Sequence, residues 1–233
     1  MAILAFDTCL GAVSVALRYR AANGDWLIRE AYEARQTGHA ERLMPMIAEV
    51  MAAAGREFSH VERFAVTVGP GTFTGVRVGV AAARAFVLAA SRPVVGLSSL
   101  EVIAARGRHL LGVSATARTL LVAVDARRGA LYCALHAPAE SSGKGAPMLL
   151  TAGEAAALAH EHDALVIGSG GAFVAEAAAA TGRPIMSELP TIEPHARFLA
   201  QLAADRPPSD IVAPLYLRAP DVKPQPEPIA RQP

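Results

Sequence analysis

Residues Val66–Ala90 read V-T-V-G-P-G-T-F-T-G-V-R-V-G-V-A-A-A-R-A-F-V-L-A-A. A β-branched run ends in a turn of Gly69, Pro70 and Gly71, and an apolar run of helical length follows. Strand, Gly-rich turn and helix in that order can build an anion pocket, because the first backbone N–H groups of the helix can point at a ligand. No Lys follows the last glycine of the turn, so this is not a Walker A loop. The helix has almost no polar face, so it needs cover on nearly every side. A phosphate-loop outline that leads into such a helix points to a binding partner more than to a self-sufficient enzyme.

The stretches upstream are legible from period and turn chemistry. Ala2–Phe6 is a short apolar run with a polar tip at Asp7-Thr8, which predicts a buried strand. Val13–Arg18 alternates, Asn23-Gly24-Asp25 is a turn signal, and Trp26–Tyr32 is rich in strand formers, which predicts an antiparallel meander. Leu43, Ile47, Val50 and Ala54 form one stripe of a helix flanked by Met44, Met46 and Met51, and Gly55 closes it. Phe64–Val68 is the strand that enters the quoted stretch. Thr72 or Thr74 caps the long helix.

Downstream, Arg92-Pro93 stops the helix and Val94–Leu97 is another strand. Ser98-Ser99-Leu100-Glu101 has the form of a capping box. Arg106–Arg118 is mixed and Gly-containing, and reads as a domain junction. The strand pattern then restarts. Leu120–Val124 ends in Asp125, and Arg127-Arg128-Gly129 turns the chain into Ala130–Leu135. Ser141–Gly145 is a loop, and Thr151–Glu154 is a second capping box on an Ala-rich helix reaching His160. Leu165–Ile167 runs into Gly168-Ser169-Gly170-Gly171 and a helix to Ala180. Pro194 opens a helix over Arg197–Ala204, and Ile211–Leu217 adds a strand or a docking segment. Strands with an acidic tip thus open both halves, at Asp7 and at Asp125. This predicts two α/β lobes of similar plan, residues 1–105 and 106–219, with the last segment free to return to the first lobe. Half of the sixteen prolines lie from Pro207 onward, so 220–233 is expected to be an extended or disordered tail.

Composition excludes several classes. Apolar residues make up 52%, so a sizeable core can form. Lys plus Arg number 22 against 21 for Asp plus Glu, a net charge of +1, which gives no electrostatic case for nucleic-acid binding by the chain itself. Cys9 and Cys133 fit neither a disulfide framework nor a zinc pattern, and read as buried thiols of a reducing, cytoplasmic compartment. The start M-A-I-L-A-F-D lacks the form of a signal peptide, and Arg77 and Arg84 interrupt the longest apolar stretch, against a membrane span.

Candidate chemistry is sparse. Asp7 and Asp125 could face a nucleotide cleft and hold a metal through water, or could simply satisfy their own turns. Gly168 and Gly170 could lie against an adenine or a phosphate, or form a plain strand–helix turn. The seven histidines show no pairing at metal-ligand spacing, and no G-x-S-x-G elbow or activated Cys is visible. Gly75, Gly79 and Ala83 recur every four residues and leave a strip where another helix can approach closely. The expected partner interface is therefore His39, Leu43, Ile47, Met51, Phe73, Val76, Gly79, Val80 and Arg84.

At these motifs the chain resembles the TsaB family, small subunits of the bacterial machinery that makes threonylcarbamoyladenosine in tRNA. The carriers are I-L-A-F-D-T at Ile3–Thr8, H-A-E-R-L-M-P-M-I at His39–Ile47, G-P-G-T-F-T-G-V-R-V-G at Gly69–Gly79, G-L-S-S-L-E at Gly96–Glu101, V-D-A-R-R-G at Val124–Gly129 and P-L-Y-L-R at Pro214–Arg218. The resemblance implies a two-lobed α/β fold of the actin-like ATPase kind (ASKHA, ribonuclease H-like). It implies a non-catalytic dimerisation and scaffold subunit that supports a TsaD-like catalytic paralogue, with a TsaE-like ATPase as third partner and tRNA reached through the complex. Aligned on Leu100-Glu101, Ser99 and Ile103 stand where the catalytic relatives carry an H-x-x-x-H metal pair. No metal or cofactor is then expected in this subunit, ATP and metal belonging to its partners. Asp7, Thr8, Gly69, Gly71, Thr72, Asp125, Gly168 and Gly170 would be a vestigial nucleotide cleft. A homodimer through the same helices is the expected state of the isolated chain. The alternatives are a stand-alone ATP-dependent phosphotransferase or ATPase of the same fold, and a metallopeptidase, the family's older M22 glycoprotease-like label.

Overall fold

A computed structural model describes residues 1–138 and 145–218. The first sheet is built from β1 (Ile3–Asp7), β2 (Ala12–Arg20), β3 (Trp26–Ala34), β4 (Arg63–Thr67) and β5 (Val94–Leu97), in the spatial order β3-β2-β1-β4-β5. The meander β1–β2–β3 is antiparallel, and β4 and β5 add parallel to β1. The second sheet comprises β6 (Leu120–Asp125), β7 (Ala130–His136), β8 (Met148–Thr151), β9 (Leu165–Ile167) and β10 (Ser187–Glu188), in the order β10-β9-β6-β7-β8. It repeats the plan of an antiparallel meander followed by two parallel additions. The short strands β8 and β10 were not expected: β10 is the polar pair Ser187-Glu188, and β8 is four partly exposed residues that run straight into the next helix with no turn residue between them.

Helices α1 (His39–Ala53) and α2 (Phe73–Ala90) lie on one face of the first sheet, and their core meets Leu4, Phe6, Val15, Leu17, Phe64 and Val66. An aromatic cluster holds the C-terminal half of α2 down. Phe86 packs edge-on to Phe6 at 5.8 Å and stacks on Phe64 at 5.3 Å. Phe6 and Phe64 are fully buried, and each such ring contributes about 1.5–3 kcal/mol through apolar burial; Phe86 is partly buried against them. Helix α7 (Ala196–Leu202) returns to cover the opposite face, where Ala196, Leu199 and Ala200 meet Ile3, Ala5 and Ala65. The second sheet is covered on one face by α5 (Ala152–Glu161) and α6 (Gly171–Ala180).

Between the sheets stands α3 (Ser99–Leu111), followed by the short α4 (Val113–Thr116). Val102 faces the first sheet, while Leu100, Ile103 and Ala104 pack with Leu120, Val122 and Ile167 of the second. The boundary expected at 105/106 therefore falls inside one helix, and Arg106–Arg118 is largely helical rather than a loose junction. Gly107 misled the reading: a Cβ there would sit 2.5 Å from Ile167 Cδ1, so the glycine serves packing and does not break the helix.

Of the expected caps, Thr72 heads α2 and Thr151 forms a full capping box with Glu154. Ser98 caps α3 through the Leu100 N–H, whereas Glu101 reaches Arg206 at 2.6 Å. The last helix starts behind His195, not at Pro194. Ile211–Leu217 forms no strand. It docks instead, with the Leu215 N–H donating to Val68 O at 2.7 Å. The tail 220–233 and most of the Ser141–Gly145 loop lie outside the described residues.

Candidate functional site

The turn that outlines a phosphate loop is filled by its own chain. Thr72 N–H donates to Cys9 O at 2.8 Å, and Ser99 N–H donates to Gly69 O at 2.9 Å. The Ser99 hydroxyl donates to Pro70 O at 2.5 Å. The glycines allow this closeness. A Cβ on Gly71 would lie 2.3 Å from Cys9 O, and one on Gly75 would lie 2.0 Å from Thr8 O. Gly69 adopts φ 103° against the Leu215 carbonyl, a conformation open to glycine. The small-residue strip Gly75–Gly79–Ala83 faces inward and seats α2 on β1 and β4, so it is not open to a second molecule. Thr8 fastens that seat, its hydroxyl donating to Gly75 O at 2.6 Å.

Asp7 lies beneath this seat, fully buried. The Thr67 hydroxyl and the Cys9 N–H (3.2 Å) both donate to its Oδ1, while Oδ2 has no partner. Burial pushes its carboxyl up to about 6, against the pull of the Thr67 and Cys9 bonds and of His39. Glu193 shares the site: its Oε2 accepts the Gly11 N–H at 3.1 Å. Burial, with Asp7 adding to it, pushes Glu193 up to about 7, and the Gly11 N–H and Arg106 oppose the shift. Sequence reasoning missed Glu193, because nothing local ties it to a strand more than 180 residues earlier.

Asp125, by contrast, is exposed, and its Oδ1 accepts the Arg127 N–H at 2.7 Å. The turn-former reading holds for it. Gly168 and Gly170 lie against Ala123: a Cβ on Gly168 would meet Ala123 O at 2.4 Å, and Gly170 N–H donates to that same oxygen at 2.9 Å. Each expected cleft residue is thus tied into its own lobe. Among the described residues, no group of three or more His, Cys, Asp or Glu side chains is placed to hold a metal ion.

The expected interface residues mostly point the wrong way for an interface. Leu43, Ile47, Met51, Val76, Gly79 and Val80 are buried in the first lobe's own core. His39 is also buried, its Nε2 2.8 Å from Leu10 O. Of the nine, Phe73 and Arg84 are exposed. Besides Phe73 (42% exposed) and Arg84, the outward face consists of residues outside that set: Met44 (52%), Pro45, Ala48 and Ala52 on α1, and Arg77, Ala81, Ala85 and Leu88 (86%) on α2. An all-round apolar helix does not say by periodicity which face goes in. Arg77 and Arg84, seven residues apart, did mark the outer face. Arg77 lies 3.6 Å over the Phe73 ring and donates to the Tyr216 hydroxyl at 2.9 Å, while Arg84 donates to Val212 O at 2.8 Å. By length and composition α2 is the one helix among the described residues that could cross a membrane, yet only 33% of it is buried inside this fold.

Comparison with known proteins fits this architecture. The family model described as TsaD, tRNA N6-adenosine threonylcarbamoyltransferase, matches residues 33–200. The tRNA threonylcarbamoyladenosine biosynthesis protein TsaB of Escherichia coli is 34% identical over 134 residues, 58% of this chain and 54% of that relative. The chain thus spans about half the length of the curated relative it matches there. A crystal structure from Pseudomonas aeruginosa, of an uncharacterized protein with similarity to peptidase YEAZ, superposes with a TM-score of 0.75 at 29% identity, over 93% of this chain and 99% of that one. YeaZ from Pseudomonas aeruginosa superposes with a TM-score of 0.71 at 30% identity, over 88% and 92%. The two lobes with their repeated sheet order are those of an actin-like, ASKHA-type fold. The chain belongs to the TsaD family and, within it, is TsaB-like.

Proposed function

We propose that this chain is a non-catalytic subunit in the formation of the threonylcarbamoyl group on N6 of the tRNA adenosine next to the anticodon, and that it acts by docking a TsaD-like catalytic paralogue on the outward face of α1 and α2. The observation that carries the reading is that face. It presents Met44, Pro45, Ala48, Phe73, Ala81, Ala85 and Leu88, an apolar surface of the composition that protein partners cover. The positions aligned with the catalytic metal pair also support it. Ser99 is bonded to Pro70 O, and Ile103 is packed among Leu120 and Val122. ATP and metal then belong to the partners, a TsaE-like ATPase is the third component, tRNA is met through the complex, and the assembly is cytoplasmic. Without its partner the chain pairs with itself through the same face. The rival reading, a phosphotransferase using Asp7 and Asp125, draws no support from a loop closed by Cys9 and Ser99.

Light-scattering mass on a sizing column tests this, for the chain alone and mixed with the TsaD paralogue of the same organism. A 1:1 species is expected. Leu88→Glu, at an 86% exposed position, should weaken it at least a hundredfold by placing an unpaired charge in the contact, with the melting temperature of the isolated chain unchanged. Equal affinity of the variant would move the interface elsewhere. Gly79→Asp cannot serve, because a Cβ there would lie 2.9 Å from Thr8 Oγ1 and 3.3 Å from Val66 Cγ2 and would disrupt the lobe itself.

A further inference from the structure

The first sheet ends on one side in a strand that nothing covers. β3 runs nine residues, Trp26–Ala34, and every one of them is at least partly exposed. It pairs with β2 without a break from Ala12↔Ala34 to Arg20↔Trp26, so no bulge turns it away, and it holds no Pro, Gly or Lys. Those are the usual devices that keep a sheet edge from pairing again. The other sheet edges are short or closed. β5 has four residues, and Ser209 closes it, its N–H donating to Val94 O at 2.8 Å and its hydroxyl accepting the Gly96 N–H at 3.0 Å. β8 has four residues and β10 two. β3 is thus the one long free edge among the described residues.

We infer that the free edge of β3 pairs antiparallel with β3 of a second copy of this chain, about a two-fold axis at Ala31. The charges on the strand select both the occupant and the register. In a two-fold antiparallel pair the facing side chains lie on the same side of the sheet, so the axis falls at one residue, which faces its own copy. An axis at Arg29, Glu30 or Glu33 sets that charge against itself, and an axis at Tyr32 sets Arg29 against Arg35 of the second copy. Like charges in facing positions are destabilising. An axis at Ala31 sets Arg29 against Glu33 of the second copy, twice by symmetry, with Ile28 against Ala34 and the small Ala31 against itself. It keeps 28–34 of each strand in the pairing, where an axis at Ile28 keeps only 26–30. The two charges are also placed for it. Ala31 packs on the core beneath α1, so Arg29 and Glu33, two residues to either side, project from that same face. Arg29 is exposed and, among the described residues, makes no ion pair within its own chain. Glu33 is held by Arg42 at 2.7 Å on one oxygen and by Arg35 at 3.4 Å on the other, and each oxygen retains a lone pair for a further donor. The contact uses neither α2 nor the outward face of α1, so it stands whether or not that face docks a partner. A contact this short is weak, and it joins two copies, or two 1:1 complexes, as concentration rises.

Disulfide trapping in the full chain tests it. In Ala31→Cys the new thiol would face its own copy with Cα atoms about 4.5–5.5 Å apart, within disulfide reach. Cys9 and Cys133 are buried and stay out of the reaction. Under mild oxidation Ala31→Cys is expected to form a covalent dimer at least tenfold faster than Glu30→Cys or Tyr32→Cys, whose copies would sit diagonally, about 7–8 Å apart. Light scattering is the second arm, in a Leu88→Glu background that removes self-pairing through α1 and α2. The mass should rise from one chain toward two with concentration. Arg29→Glu, which would face Glu33, should weaken this association at least tenfold, and Arg29→Lys, which keeps the charge, should preserve it. A strand of some other protein on this edge would leave the purified chain a monomer in that background, and that result overturns the proposal. Crosslinking that peaks at 30 or 32, or association unmoved by Arg29→Glu in a variant that melts like wild type, overturns it as well.

Discussion

The two lobes begin with the same local device and put it to opposite use. At the end of β1, Asp7 accepts an N–H from Cys9, two residues on; at the end of β6, Asp125 accepts an N–H from Arg127, two residues on. Both are Asx-type turns, written by the same residue at the same place in a repeated topology. Yet Asp7 is fully buried with an unpartnered oxygen, and Asp125 is exposed at the rim of a pocket. The difference comes from what is packed over the tip. In the first lobe α2 lies directly on Thr8 through Gly75, and the 69–72 turn closes on Cys9. In the second lobe the Gly168–Gly171 turn meets the strand at Ala123, two residues before the acid, and takes the Asp125 N–H on Ser169 Oγ at 3.1 Å, while the Asp125 side chain stays exposed. A motif therefore fixes the local hydrogen bond, while the neighbouring helix decides whether the acid meets water.

The hardest test of that contrast is to add one methyl group at each helix seat. Gly75→Ala would place a Cβ 2.0 Å from the Thr8 carbonyl, backbone against backbone, with no side chain able to yield. A loss above about 4 kcal/mol is expected, seen as unfolded or insoluble protein. Gly170→Ala would meet the Leu131 side-chain end at 2.9 Å, which can turn aside, and the Ala123 carbonyl carbon at 3.1 Å. A milder loss of about 1–2 kcal/mol is expected there, read from denaturant midpoints. Equal losses in the two variants would mean that the lobes are seated alike and that the contrast has another origin.

Much of this was legible beforehand, and the failures have physical causes. Strands such as Val94–Leu97 and Leu165–Ile167 stood out because each is a short apolar run bounded by turn residues. The repeat of the two halves could be read from the acid tips alone. The place of Glu193 near Asp7 could not, because it rests on a hydrogen bond from the Gly11 N–H to a side chain 182 residues further on. The inward and outward faces of α2 were exchanged because Gly75, Gly79 and Ala83 admit close approach by anything, and here the anything is the chain's own β1. Arg106–Arg118 was read as a domain junction partly for its glycines, and glycine marks both breaks and tight packing, the latter at Gly107.

Next in size is a pH effect confined to the buried acid. A carboxyl whose folded value is raised binds protons more readily in the native state than in the unfolded one. The stability that depends on that proton is fully present below the unfolded value near 4, and it is lost as pH rises through about 6 for Asp7 and about 7 for Glu193. His136, pushed down to about 4 by its own burial, and His195, also lowered, act in the opposite sense as pH falls. The useful quantity is therefore the difference between Asp7→Asn and wild type, in which both histidines cancel. That difference should move in favour of the variant between pH 4 and 7.5 by about 1–3 kcal/mol, roughly 2–10 °C in melting temperature. The asparagine amide brings its own fixed penalty where Oδ2 had no partner, so the slope with pH is the readout and the offset is not. A flat difference would show that Asp7 carries no proton-linked strain.

The smallest effect is expected at the matching acid. Asp125→Asn keeps a side-chain oxygen able to accept the Arg127 N–H at the same two-residue spacing, and the position is exposed. Its stability should stay within about 0.5 kcal/mol of wild type, as for other surface substitutions that preserve a hydrogen bond. Asp125→Ala removes the acceptor and releases a turn in which Arg127 and Arg128 are both left-handed, so it should lose about 1 kcal/mol. The order Asn above Ala, by urea midpoint at constant slope, assigns the role of Asp125 to turn geometry. The reverse order, or a loss in Asn as large as in Ala, would mean that the charge itself holds the second lobe's tip, and the two acids would then differ less than their burial suggests.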